Sequence, residues 1–246
     1  MINGTTLPLV GIYVQLSLPW AILLALVFGT LIGVIHGLLV CRVDLQPFLV
    51  TLCSLLIFRG LTRVMKNEKS VSFDSTEHRF LAELGSGAWL GIPVPVYILI
   101  GVLIPLGLFM HQTVPGRYLY AIGYNVEAAR FSGVRVDLLR TLSYALSGFL
   151  AAIAAILEAG DVKSVSPSTT GVAYEMYGIT GAVLGACALR GGQGSLIGVV
   201  IGMAILRVIK SAITFMNINT YWTFAVTGMV LLAAVIVDRV IRGRRA

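Results

Sequence analysis

The sequence predicts an all-α fold, a polytopic transmembrane helical bundle with about seven membrane segments. Three observations lead there. Of 246 residues, 57% are hydrophobic and only 12% are charged, and mean hydropathy is +0.92. Roughly a quarter of an average soluble domain is charged, and a water-exposed surface needs that shell, whereas lipid does not. Apolar runs of about 20 residues, enough to cross the hydrocarbon core, recur along the chain. Glycines recur at a spacing of four inside several of those runs, which lets backbones approach closely where dispersion must hold helices together.

In chain order the segments are about 18–40, 46–65, 93–113, 141–158, 173–190, 195–212 and 220–238. The first, third and last are clear apolar runs. Segment 46–65 also carries Arg59 and Arg63. Gly29, Gly33 and Gly37 line one face of the first segment, Gly181 and Gly185 one face of the fifth, and Gly194, Gly198 and Gly202 one face of the sixth. Only Arg190-Gly191-Gly192-Gln193-Gly194 separates the fifth from the sixth, so the pair reads as an antiparallel hairpin about a tight glycine turn. The polar stretch 66–92 reads as a solvated loop with a short interfacial piece around Phe80–Leu84, and a metal site from Asp74, Glu77 and His78 is the sharper alternative there. Residues 1–246 read as a single transmembrane domain.

Charge sets the expected orientation. There are 18 Lys and Arg against 11 Asp and Glu, but no basic stripe with interleaved aromatics, so nucleic acid is not a partner. If loop 114–140 is cytoplasmic, alternation puts Arg42, Arg117, Arg130, Arg135, Arg140, Arg190, Arg239, Arg242, Arg244 and Arg245 on that side, ten against four for Lys66, Lys69, Arg79 and Lys163. The positive-inside bias then gives a cytoplasmic C-terminus. Seven crossings put Met1 outside, yet Met1–Thr5 has no positive n-region and reads like a loop between helices. The expectation is that a complete protein carries a further N-terminal part. Cys41, Cys53 and Cys187 form no close pair and read as small buried hydrophobes, and His36, His78 and His111 form no ligand cluster with them.

The loop at 114–140 is longer and more apolar than a connection needs. Within residues 116–134 a short helix is read between Asn125 and Gly133. Asn125 can cap its start by accepting a backbone N–H, Glu127 suits the dipole of the first turn, and Gly133 can end it left-handed. A helix of fewer than about ten residues does not persist alone in water, so it must dock. Ala128 and Ala129 allow close approach, and Phe131 and Val134 offer apolar contact.

Glu127-Ala128-Ala129, three residues, then Gly133 resembles the coupling-loop signature of ABC importer permeases. The run 116–134 is similar to the ribose/xylose/arabinose branch, as are Gly171-Val172-Ala173-Tyr174-Glu175 followed by Gly191-Gly192-Gln193-Gly194, and Pro47-Phe48-Leu49-Val50-Thr51-Leu52 with Arg59-Gly60-Leu61. The resemblance covers essentially the whole chain. It implies that Asn125, Glu127, Ala128, Ala129 and Gly133 dock on a separate ATP-binding subunit. It further implies an extracytoplasmic sugar-binding protein, a second permease copy, and a place in the cell inner membrane. The chain departs from that branch in lacking N-terminal helices with an Asp-Leu-Ser-Val-Gly-like run, in having Tyr177 where relatives often have an acidic residue, and in reading Gly185-Ala186-Cys187 where Gly-Gly-Thr is common.

No Gly-x-x-x-x-Gly-Lys-[Ser/Thr] occurs, so ATP hydrolysis is expected in the partner, and no cofactor is implied. Glu158, Tyr174, Glu175, Tyr177 and Thr180 are the candidates for a polar translocation path. For Glu158 and Glu175 the alternative is a helix end facing water. Tyr221 and Trp222 read first as an interfacial aromatic anchor. A secondary transporter would show mid-span carboxylates and broken helices in repeated halves, and a membrane enzyme would show convergent catalytic groups. The sequence has no clear repeat, and no His-Glu-x-x-His. An ABC permease for another small solute, such as an amino acid, stays open as the alternative.

Overall fold

The computed structural model describes residues 5–9, 12–72, 79–188, 191–216, 219 and 222–243. In chain order the elements are β1 (Thr5–Leu9), β2 (Ile12–Leu16), α1 (Leu18–Arg42), α2 (Pro47–Lys66), β3 (Val71–Ser72), α3 (Arg79–Ser86), β4 (Ala88–Trp89), β5 (Ile92–Pro93) and α4 (Val94–Gln112). They continue with α5 (Val114–Tyr124), α6 (Val126–Phe131), α7 (Val136–Val162), β6 (Ser164–Val165), α8 (Tyr174–Leu184), α9 (Leu196–Phe215) and α10 (Trp222–Gly243). The protein is helical and polytopic. Helices α1, α2, α4, α7 and α9 are each long and apolar enough to cross a membrane, and the apolar part of α10, Trp222–Val237, is shorter.

The chain forms two compact units, residues 1–104 with 135–170, and residues 105–134 with 171–246. In the first, α1 and α7 pack antiparallel through small residues. A Cβ on Gly33 would overlap Tyr144 O, one on Gly37 would stand 2.7 Å from Thr141 Cα, and one on Gly29 would stand 2.7 Å from Ala152 Cβ. The expected glycine face of the first segment is therefore a helix–helix contact. His36 Nε2 and Ser54 Oγ, 2.6 Å apart, tie α1 to α2. In the stretch 66–92, expected as a solvated loop with a short interfacial piece around Phe80–Leu84, the described residues form β3, α3, β4 and part of β5. Helix α3 buries Leu81 and packs Gly85 on Gly160 and Asp161 of α7. Strand β3 pairs antiparallel with β6, Val71 opposite Val165. Asp74, Glu77 and His78 lie outside the described residues.

In the second unit α8 and α9 run antiparallel, as the hairpin reading expects. Gly185 meets Gly198 and Gly181 meets Gly202 and Met203, so closely that a Cβ on Gly198 would overlap Gly185 O. Gly194 lies before α9, 3.0 Å from Cys187 Sγ by the same measure, and is not part of its helical face.

One expected span differs. Among the described residues, segment 173–190 is helical only over the 11 residues of α8, about 16 Å at 1.5 Å per residue, roughly half a hydrocarbon core. Its end has a local cause. Ala186 adopts φ 61°, its N–H donates to Val183 O, and Cys187 N–H donates to Ala182 O. That 5→2 and 6→1 pairing closes a helix rather than extending it. None of the three cysteines is fully buried: Cys53 is exposed, and Cys41 and Cys187 are half-buried. In lipid that exposure is no penalty for a small apolar side chain.

Candidate functional site

Where the sequence suggests one loop helix, the second unit builds two. Helix α5 starts at Thr113, whose Oγ1 accepts from Gly116 N–H at 3.3 Å and donates to Phe109 O at 2.5 Å. Gly116 lets the chain double back tightly, since a Cβ there would overlap Phe109 O. Helix α5 ends at Asn125, which turns extended (φ −152°, ψ 110°) and begins α6.

The caps of α6 are those the residues suggest. Asn125 Oδ1 accepts from Ala128 N–H at 3.0 Å. At the other end Gly133 stands at φ 80°, its N–H donating to Arg130 O at 3.1 Å while Val134 N–H donates to Ala129 O at 3.2 Å. Both ends of a six-residue helix are thus closed by local bonds. Glu127 lies in the first turn and Arg130 in the last, each at the dipole end that favours its charge.

Ala129 is turned inward at 5% exposure, with Ile122 of α5 at 4%. Glu127, Ala128 and Gly133 are exposed, Phe131 is 91% exposed and Tyr124 83%. Of the alanine pair, only Ala128 faces outward. The outward face combines an acid, a small residue and two large aromatic rings on a rigidly capped turn, which suits a surface that seats in a groove.

The path candidates fall in both units. Glu158 sits on α7 in the first. Tyr174, Glu175, Tyr177 and Thr180 sit on α8 in the second. The rings of Tyr174 and Tyr177 meet edge-on at 6.3 Å. Thr180 is fully buried and donates to Met176 O at 2.7 Å, so its hydroxyl is already used. Lys210 of α9, which charge counting sets aside as lying inside a segment, holds Nζ 5.8 Å from the Tyr177 ring centre. Leu206 and Gly202, four and eight residues before it, are buried, so a cation on the α8-facing side of α9 was the available signal. Trp222 is 58% exposed, and Tyr221 and Arg190 lie outside the described residues.

In the first unit an open apolar cavity of about 700 Å³ runs between α1 and α7, lined by Ala25, Gly29, Gly148 and Ala152 among others. Its walls have few polar groups and offer no constellation for chemistry.

Comparison with known proteins gives this architecture a context. Residues 1–235 match the family described as "Branched-chain amino acid transport system / permease component". The chain is 36% identical over 219 residues to the ribose import permease protein RbsC of Escherichia coli (strain K12), covering 89% of this chain and 68% of that protein. It is 36% identical over 205 residues to the L-arabinose transport system permease protein AraH of the same strain, covering 83% and 61%. With the fructose import permease protein FruF of Bifidobacterium longum (strain NCC 2705) it shares 35% over 213 residues, covering 86% and 60%. No solved structure matches.

Proposed function

Because the chain belongs to the family of branched-chain amino acid transport system permease components, and is therefore a transport subunit rather than an enzyme, we propose that it carries a simple sugar across the cytoplasmic membrane in an ATP-driven importer. The relatives named for ribose, arabinose and fructose support the substrate class. The observation that carries the mechanism is the capped helix α6 with Phe131 and Tyr124 turned outward. Asn125, Glu127, Ala128, Ala129 and Gly133 shape that knob. Ala128 and Glu127 lie on the docking side, while Asn125, Ala129 and Gly133 hold its form.

In this reading α6 seats in a groove of a separate ATP-binding subunit. Closure of two such subunits on ATP moves the two α6 helices of a permease pair, and the bundle alternates between outward and inward openings. An extracytoplasmic binding protein delivers the sugar. A neutral sugar asks for hydrogen-bond partners and ring faces rather than a fixed countercharge. Tyr174, Tyr177 and Glu175 on α8 supply them in the second unit, and Glu158 on α7 is a separate candidate in the first.

The test is ATP-dependent uptake of labelled ribose, arabinose and fructose, with leucine as the competing substrate that the family description suggests. Sugar uptake is expected and leucine uptake is not, and the reverse overturns the substrate class. A photo-crosslinker at Ala128 should capture an ATP-binding subunit, and its failure to do so in an active transporter overturns the coupling role.

A further inference from the structure

Helix α5, which carries α6, is also fastened to the turn between α8 and α9. Gly123 lies backbone to backbone on that turn. A Cβ on Gly123 would overlap Gly192 N and stand 2.9 Å from Gly192 Cα. Reciprocally, a Cβ on Gly191 would stand 3.0 Å from Gly123 O, and one on Gly192 would stand 2.9 Å from Tyr124 N. Both turn glycines are left-handed, at φ 88° and 77°, so neither position tolerates a side chain on two counts. One turn earlier on α5, the Tyr120 hydroxyl donates to Gly194 O at 3.2 Å across 74 residues of sequence.

The turn leads directly into two helices that are themselves locked. Ser195 caps α9 by accepting from Gly198 N–H at 3.3 Å, and Gly198 rests on Gly185 at the end of α8. A chain of backbone contacts thus runs from α6 through α5 and the turn into α8 and α9. Long side chains at such a junction would absorb displacement by changing rotamer. Backbone on backbone has no torsion to yield, and packed interiors compress little.

We propose that Tyr120, Gly123, Gly191 and Gly192 form a rigid joint that carries displacement of α6 into the α8–α9 pair. These are positioning residues, since none lies on the outward face of α6 or among the path candidates. The inference rests on the importer reading of α6.

The experiment uses the complete transporter with its ATP-binding subunit and binding protein in proteoliposomes, scoring sugar moved per ATP hydrolysed. Couplings between sites commonly amount to roughly 5–150-fold. Gly123→Val should therefore keep co-purification with the ATP-binding subunit and ATP hydrolysis, while the transport ratio falls about tenfold. A second arm replaces Cys41, Cys53 and Cys187, introduces Tyr120→Cys with Gly194→Cys, and bridges them with a short bismaleimide. A joint that moves as one body keeps the ratio at or above that of the same double-cysteine protein left unbridged. An unchanged ratio in Gly123→Val, or a bridged transporter that stalls, overturns the proposal. If Gly123→Val does not assemble, Tyr120→Phe decides: a lowered ratio with intact assembly supports the joint, and an unchanged one overturns it. Failure of the importer reading itself would show in the unsubstituted protein, as no ATP-dependent uptake.

Discussion

Ala186 stands at φ 61° in the position that closes α8, where a Cβ crowds the following carbonyl. The related pattern reads Gly-Gly-Thr where this chain has Gly185-Ala186-Cys187, and the second glycine falls on this residue. Ala186→Gly should stabilise the protein by about 1 kcal/mol, the left-handed penalty less the added chain entropy, seen as a raised midpoint of thermal unfolding in detergent. At the other signature, Asn125→Ala removes the one side-chain acceptor at the start of α6 and should cost about 1 kcal/mol. With the helix frayed, co-purification with the ATP-binding subunit should fall while membrane insertion is unchanged. Asn125 and Gly133 were legible in the sequence because capping is local, a side chain bonding to backbone three residues on. The Tyr177–Lys210 contact was not, because it joins α8 to α9 and depends on which face each helix turns.

At the scale of elements, glycine periodicity was the most informative signal. Gly29, Gly33 and Gly37 forecast a face, and α1 meets α7 along it. Gly33→Leu would force the two backbones apart at Tyr144 O, and overpacking of this kind typically costs about 1–3 kcal/mol. Loss of folded protein in detergent is expected, whereas Gly60→Leu on α2, where a Cβ meets nothing within 4 Å, should leave yield and unfolding midpoint unaltered. What the sequence hid was α5. Gly116 and Gly123 argue against a helix on propensity. Tertiary contact overrides it, because both glycines sit where another stretch of backbone crosses. The shortness of α8 was hidden too, since an apolar run does not reveal that it bends left-handed at an alanine before it ends.

For the molecule as a whole, charge counting put the 114–140 loop and the turn before Ser195 on one side of the membrane. Gly123 touching Gly191 and Gly192 brings part of that loop and the turn together within the second unit. In a background without the native cysteines, Ser132→Cys and Gln193→Cys should both react with a membrane-impermeant maleimide in inside-out vesicles and neither in intact cells. Opposite accessibility of the two would break the topology. Reaction of both from outside would invert it.

The short reach of α8 has a consequence for solvent. Its start lies level with about Lys210, so residues 211–215 of α9 run on without α8 beside them. The N–H groups of Tyr174, Met176 and Tyr177 donate to Gly171 O and Ala173 O, but the Glu175 carboxylate is exposed there and is costly to leave in hydrocarbon. Wetting must therefore reach down to Tyr174 and Glu175, thinning the dry barrier there. Amide deuteration at the head of α8 should outpace that in the middle of α1 or α9, and the protein would be most nearly permeable along that hydrated shaft.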